Sequence, residues 1–441
     1  MAKSSKPTDI NRNTSSALLP NEGLQLECRV MRFYARQRYF VRRSIIIHTE
    51  ASLNQATDLD VVAVKWIAPF KKHLQIAECK SGSKEGPLDR IFWLTGVRKY
   101  TGADAATLFR VDTKWDIKQF ARECGVQLID LTTLEQLETQ LKIDTDKWPG
   151  LADPYYFAAN GPSWEKALDG DAALKQIWRF VQGEARWERP VLSIRYLLLS
   201  MRRIVRLMRA DPGHTLYPVM LVNSLGHLVM FALSLTAQTF EMRSPDVKGL
   251  IYRDAKFGST DKRVVDRFMR LARKITEDAL HQAGVTAARI DDDMFNFPEP
   301  QNVDDIIAIQ DAIREEAGVS EDLASFVDYV SWERFVHHRD GDEWISTVYG
   351  GDASALSKVA KEICNRLEHL EALPNGYGKI FESSGEPLRP ELTTISAVST
   401  TIDNEPHSKQ QGAEDFPIGS ISDSETVQSE LFTDPLSTVE P

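Results

Sequence analysis

The sequence predicts a two-part chain: an α/β domain on a mixed sheet over residues 21–145, then a mainly helical domain over 150–380. Three observations carry that reading. Between residues 22 and 142, helical and strand-like hydrophobic periods alternate in the order αβββαβαβα, which places helices on both faces of a mixed sheet. Beyond residue 150 the periodic segments are helical throughout. Charge is also segregated. The chain carries a net −11, yet from Phe381 onward twelve Asp/Glu stand against two Lys/Arg. That Ser/Thr/Pro/Glu-rich segment, 381–441, is expected to be a disordered acidic tail. Residues 1–20 are polar, lack an apolar h-region and read as a disordered leader.

The elements follow in order. Glu22 to about Arg36 spaces its apolar residues helically. Tyr39–His48, Leu59–Trp66 and Leu74–Lys80 are β-branched runs of strand length, the last two joined by a hairpin around Pro69–Lys72. Pro87 suits a first helical turn and opens a helix to about Tyr100. A strand (Ala105–Val111), a helix (Trp115–Cys124), a strand after Gly125 (Val126–Leu131) and a helix (Leu134–Leu141) close the α/β part. Farther on, helices are expected at Val191–Arg209, Leu216–Phe240, Asp261–Ala283, Val303–Ala317 and Ala353–Ala372. Leu216–Phe240 is long enough to span a bilayer. Asn223, His227 and Gln238 interrupt it, so it reads as the central buried helix of the second domain, with no membrane partner.

A length of 441 residues exceeds one ordinary core, and 42% hydrophobic with 27% charged residues is a globular composition. Four scattered cysteines, Cys28, Cys79, Cys124 and Cys364, form no CxxC pair. They exclude a disulfide framework or zinc ribbon and point to a reducing, cytoplasmic compartment. No phosphate-binding loop, dinucleotide fingerprint or nucleophile elbow is present.

The chemistry concentrates between Asp58 and Lys80. Asp60 begins one strand, and Glu78 and Lys80 end the next. Alternation along a strand points Glu78 and Lys80 one way and Cys79 the other. If the two strands form a hairpin, Asp60 lands beside Glu78, and two carboxylates and an ammonium converge at one end of a sheet. Such a group suits phosphodiester hydrolysis. Hard carboxylate oxygens hold Mg²⁺, or Mn²⁺, with waters left on the ion. The ion polarises the phosphate and activates water, and a lysine stabilises the charge of the transition state. The Cys79 backbone carbonyl is a further candidate ligand, its side chain packing as a small hydrophobe. On the first helix Glu27 shares a face with Val30, Met31 and Tyr34, so it points either at the sheet and a cation or simply at the helix N-terminal dipole. Residues 21–100 carry fourteen Lys/Arg against eight Asp/Glu, a basic surplus that suits a polyanion. Arg29, Arg32, Arg36, Arg42, Arg43, Arg98 and Lys99 are the candidate phosphate contacts. The run His337 to Asp342 reads as solvated turn chemistry, and Asp291-Asp292-Asp293 lacks the spacing of a calcium loop.

At Asp58-Leu59-Asp60-Val61-Val62-Ala63 and Ile76-Ala77-Glu78-Cys79-Lys80 the chain resembles the PD-(D/E)xK nuclease superfamily. The likeness is to its Mrr-like and Holliday-junction-resolvase-like branch, and Gly125-Val126-Gln127-Leu128-Ile129-Asp130 extends it. It covers about residues 20–145. It implies a restriction-endonuclease-like fold with Asp60 and Glu78 as metal ligands, Lys80 as the catalytic lysine and Glu27 as an auxiliary acid. Asp58, earlier in the turn, is a lesser candidate, and the glutamine some branches carry after the lysine has no clear counterpart. The function expected is a metal-dependent endonuclease acting on nucleic acid, DNA ahead of RNA, with the helical domain meeting substrate or a protein partner. Nucleases paired with helical sensors occur in bacterial defence against foreign DNA, which supplies an analogy. A non-catalytic nucleic-acid-binding or assembly subunit on the same scaffold is the alternative.

Overall fold

The computed structural model describes residues 20–48, 55–68, 70–82, 86–183, 190–258, 262–283 and 299–382. The leader before Pro20, the Asp291–Asp293 run and the chain after residue 382 lie outside the described residues. All the described residues belong to one compact unit.

Local chemistry starts each element where the site needs it. Helix α1 (Glu22–Arg36) is capped by Asn21, whose side chain accepts from the Leu24 amide at 2.8 Å, with Glu22 in the first turn where the dipole favours an acid. Strands β1 (Phe40–His48), β2 (Gln55–Ile67) and β3 (Lys71–Lys80) form an antiparallel meander. Helix α2 (Pro87–Thr101) starts on its proline and ends at Gly102, where φ of 66° requires glycine-like freedom. Strand β4 (Ala105–Arg110) runs parallel to β3, and after α3 (Trp115–Glu123) β5 (Gln127–Asp130) runs parallel to β4. Asp130 then caps α4 (Leu131–Gln140). The sheet order is β1-β2-β3-β4-β5, a mixed five-stranded sheet. The parallel crossovers return α2 and α3 so that their N-termini lie at the C-terminal end of β3 and β4.

The helical region comprises α5 (Pro154–Gly170), α6 (Ala172–Val181), α7 (Pro190–Ala210), α8 (Leu216–Thr239), α9 (Ser244–Phe257), α10 (Lys262–Gln282), α11 (Val303–Glu315), α12 (Ala317–Ser320), α13 (Leu323–Val330), α14 (Asp342–Val348) and α15 (Ala353–His369). Helix α8 is the one helix among the described residues long and apolar enough to cross a membrane, and its apolar stretch is wholly buried inside the protein. Its packing partners include α7, α11 and α13, consistent with a central core helix.

The two faces of the sheet have different partners. Directly opposed residues on antiparallel strands share a face, so Ala63, Gln75 and Ala77 form one side. There Gln75 donates to the Tyr34 hydroxyl of α1 at 2.7 Å. Phe40, Arg42, Val62, Val64, Leu74 and Ile76 form the other. Against that side Phe40 meets the ring of His227 from α8 at 5.3 Å, and Arg42 pairs with Asp328 of α13. At the hairpin tip Phe70 takes φ of 63°, donates its amide to Glu321 at 2.9 Å and packs on Phe240.

Gly226 of α8 lies where that helix approaches the sheet closely. A Cβ there would lie 2.8 Å from both Arg42 Nη2 and Phe40 Cε2, and 3.0 Å from Asp328 Oδ1. Gly226→Ala is therefore expected to destabilise the chain by about 1–3 kcal/mol through overpacking, although alanine favours helix. A denaturant midpoint at or above wild type would show that this contact can relax.

Several expectations need correction. Strand β2 starts at Gln55, so Asp58 lies within the strand opposite Ile46 and not in a turn. Helix α4 starts at Leu131 because the Asp130 side chain takes the Thr133 amide. Helices α5, α6, α9, α12, α13 and α14 lie outside the expected ones: α5 contains Gly161 and Pro162, and the others are 14 residues or fewer. Phe381, the expected first residue of the tail, is buried, following Ile380, whose carbonyl Arg334 engages. His337 is packed and not solvated, its ring 4.4 Å from that of Tyr156, and burial lowers its pKa to about 4.

Candidate active site

The last regular pair between β2 and β3 is Val61 with Ala77. One residue farther, Asp60 lies opposite Glu78, where the Asp60 side chain takes over from the ladder: its Oδ2 accepts the Cys79 amide at 2.6 Å. Lys80, on the same strand face as Glu78, places Nζ 2.6 Å from Glu78 Oε1 and 4.0 Å from Asp60 Oδ2. From the first turn of α2, Arg90 brings Nη1 to 3.4 Å from the same Glu78 oxygen. Glu27 extends from α1 and pairs with Arg43 of β1 at 3.6 Å. Thus Asp60, Glu78 and Lys80 gather at one end of the sheet, as their strand spacing predicts, and Glu27 joins them, the first of the two orientations its helix spacing left open.

The electrostatics is that of acids crowded in a poorly hydrated place. Glu78, 3% exposed, is pushed up to about 7, first by burial and then by the Asp60 charge, against the pull of Lys80 and Arg90. Asp60 is raised by burial, with the Cys79 amide and Lys80 opposing. Glu27 is also raised to about 7 by burial and by Asp60. Lys80 is lowered by burial, but its hydrogen bond to Glu78 and the charge of Asp60 win, so its net shift is upward. It remains an ammonium at neutral pH. The Cys79 thiol is pushed well up by burial and packs as an inert hydrophobe.

An unfolded glutamate titrates near 4.3. The folded chain therefore binds extra protons between that value and about 7, and the associated stability is present at low pH and lost as pH rises through about 7. In EDTA, the thermal midpoint is expected to fall from pH 5.5 to pH 8, and Glu78→Gln or Glu27→Gln should flatten that fall. An unchanged slope in both variants would refute the shifts.

The donor set fits a hard divalent cation. Asp60 and Glu78 offer carboxylate oxygens, and their mutual repulsion is what a cation relieves. Among the described residues no group of three or more His, Cys, Asp or Glu is arranged to hold a metal ion.

The basic residues fall elsewhere than the sequence suggests. Arg29 forks onto Glu138 at 2.6 Å, and Arg32, fully buried, shares that carboxylate and the carbonyls of Asp144, Thr145 and Lys147. Arg36 donates to the Leu141 carbonyl, and Arg42 lies buried against Asp328. Arg98 donates to the carbonyls of Ala103, Asp104 and Gly125. Arg32 and Arg42 are thus not surface groups, and Arg29, Arg36 and Arg98 are engaged in tying elements together. Arg43 faces Glu27 and stacks over Phe157 at 4.5 Å, while Lys99 is exposed. Sequence reasoning missed Arg90. Its signal was position, since the first turn of a helix that follows β3 must lie beside the strand's C-terminal end.

The four cysteines are all unpaired, three of them buried. Comparison with known proteins finds no matching family model, no matching curated protein and no matching solved structure.

Proposed function

We propose that the chain is a metal-dependent endonuclease of restriction-endonuclease-like fold that hydrolyses phosphodiester bonds in nucleic acid, DNA ahead of RNA. The supporting observation is the convergence of two mutually repelling carboxylates, half-buried Asp60 and buried Glu78, with the Lys80 ammonium at the end of paired strands. Asp60 and Glu78 would hold Mg²⁺ or Mn²⁺, with the Cys79 carbonyl as a further ligand, and the ion supplies Lewis acidity to the scissile phosphate. Lys80 keeps its protons at neutral pH, so it acts as a donor to the negative charge that builds on the phosphate and not as a base. Arg90, beside Glu78, offers a second cation to the same region. The Cys79 amide holds the Asp60 carboxylate in place, which limits reorganisation when charge develops. Glu27 stands by as an auxiliary acid oriented by Arg43. The helical region would meet substrate or a protein partner, in a cytoplasmic setting and by analogy in defence against foreign DNA.

Supercoiled plasmid incubated with Mg²⁺ or Mn²⁺ should become nicked or linear, and EDTA should prevent it. The same ions should raise the thermal midpoint more at pH 8 than at pH 5.5, because at the lower pH protons already occupy the carboxylates. No conversion of DNA or RNA under any of these conditions would overturn the enzymatic reading. A non-catalytic assembly subunit is the second reading, favoured by the engagement of Arg29, Arg32, Arg36, Arg42 and Arg98 inside the protein, which narrows the basic surface.

A further inference from the structure

Helix α10 (Lys262–Gln282), 21 residues long, packs against α9 and has no fully buried side chain among those described. Met269, Ala272, Thr276 and Leu280 are half-buried on one side. About 100° around the helix, Val264, Phe268, Leu271 and Ile275 are 58%, 68%, 54% and 60% exposed. Their spacing of four, three and four residues makes one continuous apolar seam over three turns, about 16 Å long. A lone exposed leucine needs no explanation, but four large apolar side chains in one stripe on one helix do.

Spacing and charge together define what covers the seam. A narrow stripe with alternating spacings of four and three fits the seam of helix-to-helix knobs-into-holes packing; a membrane-surface helix presents a broader apolar arc. Exposed Arg267 and Lys274 flank one edge seven residues apart, the positions that set partner choice in a coiled coil; exposed Asp278, three residues past Ile275, ends the seam on that edge, and Ala272 lies along the other. A second copy of α10 is a poor partner. Antiparallel pairing sets the Arg267 and Lys274 edges against each other, and parallel pairing leaves them opposite the alanine edge.

We infer that the exposed face of α10 is a docking surface for an acidic amphipathic helix of another protein, which pairs with Val264, Phe268, Leu271 and Ile275 and sets carboxylates against Arg267 and Lys274. This surface is independent of the acidic centre in the sheet and does not rest on the nuclease reading.

Two synthetic three-heptad peptides test it on the full chain. Both carry Leu and Ile on the seam; one has Glu and the other Lys at the flanking positions. Anisotropy titration at low and high salt measures binding, with sedimentation and anionic vesicle pelleting in parallel. The Glu peptide is expected to bind at least tenfold tighter than the Lys peptide, and to weaken as salt rises. Phe268→Asp with Leu271→Asp should abolish binding of the Glu peptide, while circular dichroism stays unchanged because both side chains are exposed. Arg267→Glu with Lys274→Glu should reverse the preference toward the Lys peptide. Equal binding of both peptides, or no loss in the Phe268/Leu271 variant, overturns the proposal. A dimer or vesicle binding that the same variant abolishes, without Glu-peptide binding by wild type, also overturns it by assigning the seam to another occupant.

Discussion

Lys80→Ala is expected to lower nucleic-acid cleavage at least a hundredfold while leaving binding and fold intact. Removing one preorganised electrostatic donor typically raises a barrier by about 3 kcal/mol. Lys80 is placed for that role, within 2.6 Å of Glu78 and 4.0 Å of Asp60, with its charge reinforced by both. Asp60→Ala and Glu78→Ala should lose activity to at least the same degree, because each removes a candidate metal ligand, and Asp60→Ala also frees the Cys79 amide. The carboxylate variants should bind nucleic acid as well as wild type or better, since each removes a negative charge that repels phosphate. Glu27→Ala should cost less, because Glu27 pairs with Arg43 and stands beside the central pair. Cleavage and binding on one substrate, compared for wild type and Lys80→Ala, make the measurement. A Lys80→Ala protein as active as wild type would remove the lysine from the mechanism.

Asp328→Ala is expected to destabilise the protein by about 3–5 kcal/mol, a large share of a typical folding free energy of about 5–15 kcal/mol. Asp328 receives both ends of the Arg42 guanidinium, at 2.7 and 2.8 Å, and the two side chains are 2% and 6% exposed. Burial raises the Asp328 carboxyl while Arg42 pulls it down. Removing the aspartate leaves an arginine buried between β1, α8 and α13 with no counter-charge, held by the Val41 carbonyl and the Phe40 face. Replacing both partners with apolar residues, as in Arg42→Met with Asp328→Leu, should cost much less than Asp328→Ala alone, because no isolated charge remains. Urea midpoints for the singles and the double give the coupling. Single variants within about 1 kcal/mol of wild type would mean that water reaches the site on mutation.

The sequence determined what depends on near neighbours. Periods of two and 3.6, a proline at the start of α2, and strand alternation that puts Glu78 and Lys80 on one face are all set within a few residues. That sufficed to order the nine elements from α1 to α4 and to bring Asp60 beside Glu78, since a hairpin is itself local. Which charges would be buried was decided only in three dimensions. Arg42 meets an aspartate 286 positions away, and Arg29 a glutamate 109 positions away. A run of arginines looks the same in sequence whether water or a distant carboxylate solvates it. The difference lies in desolvation and counter-charge, which arise when α13 closes over β1 and α4 over α1.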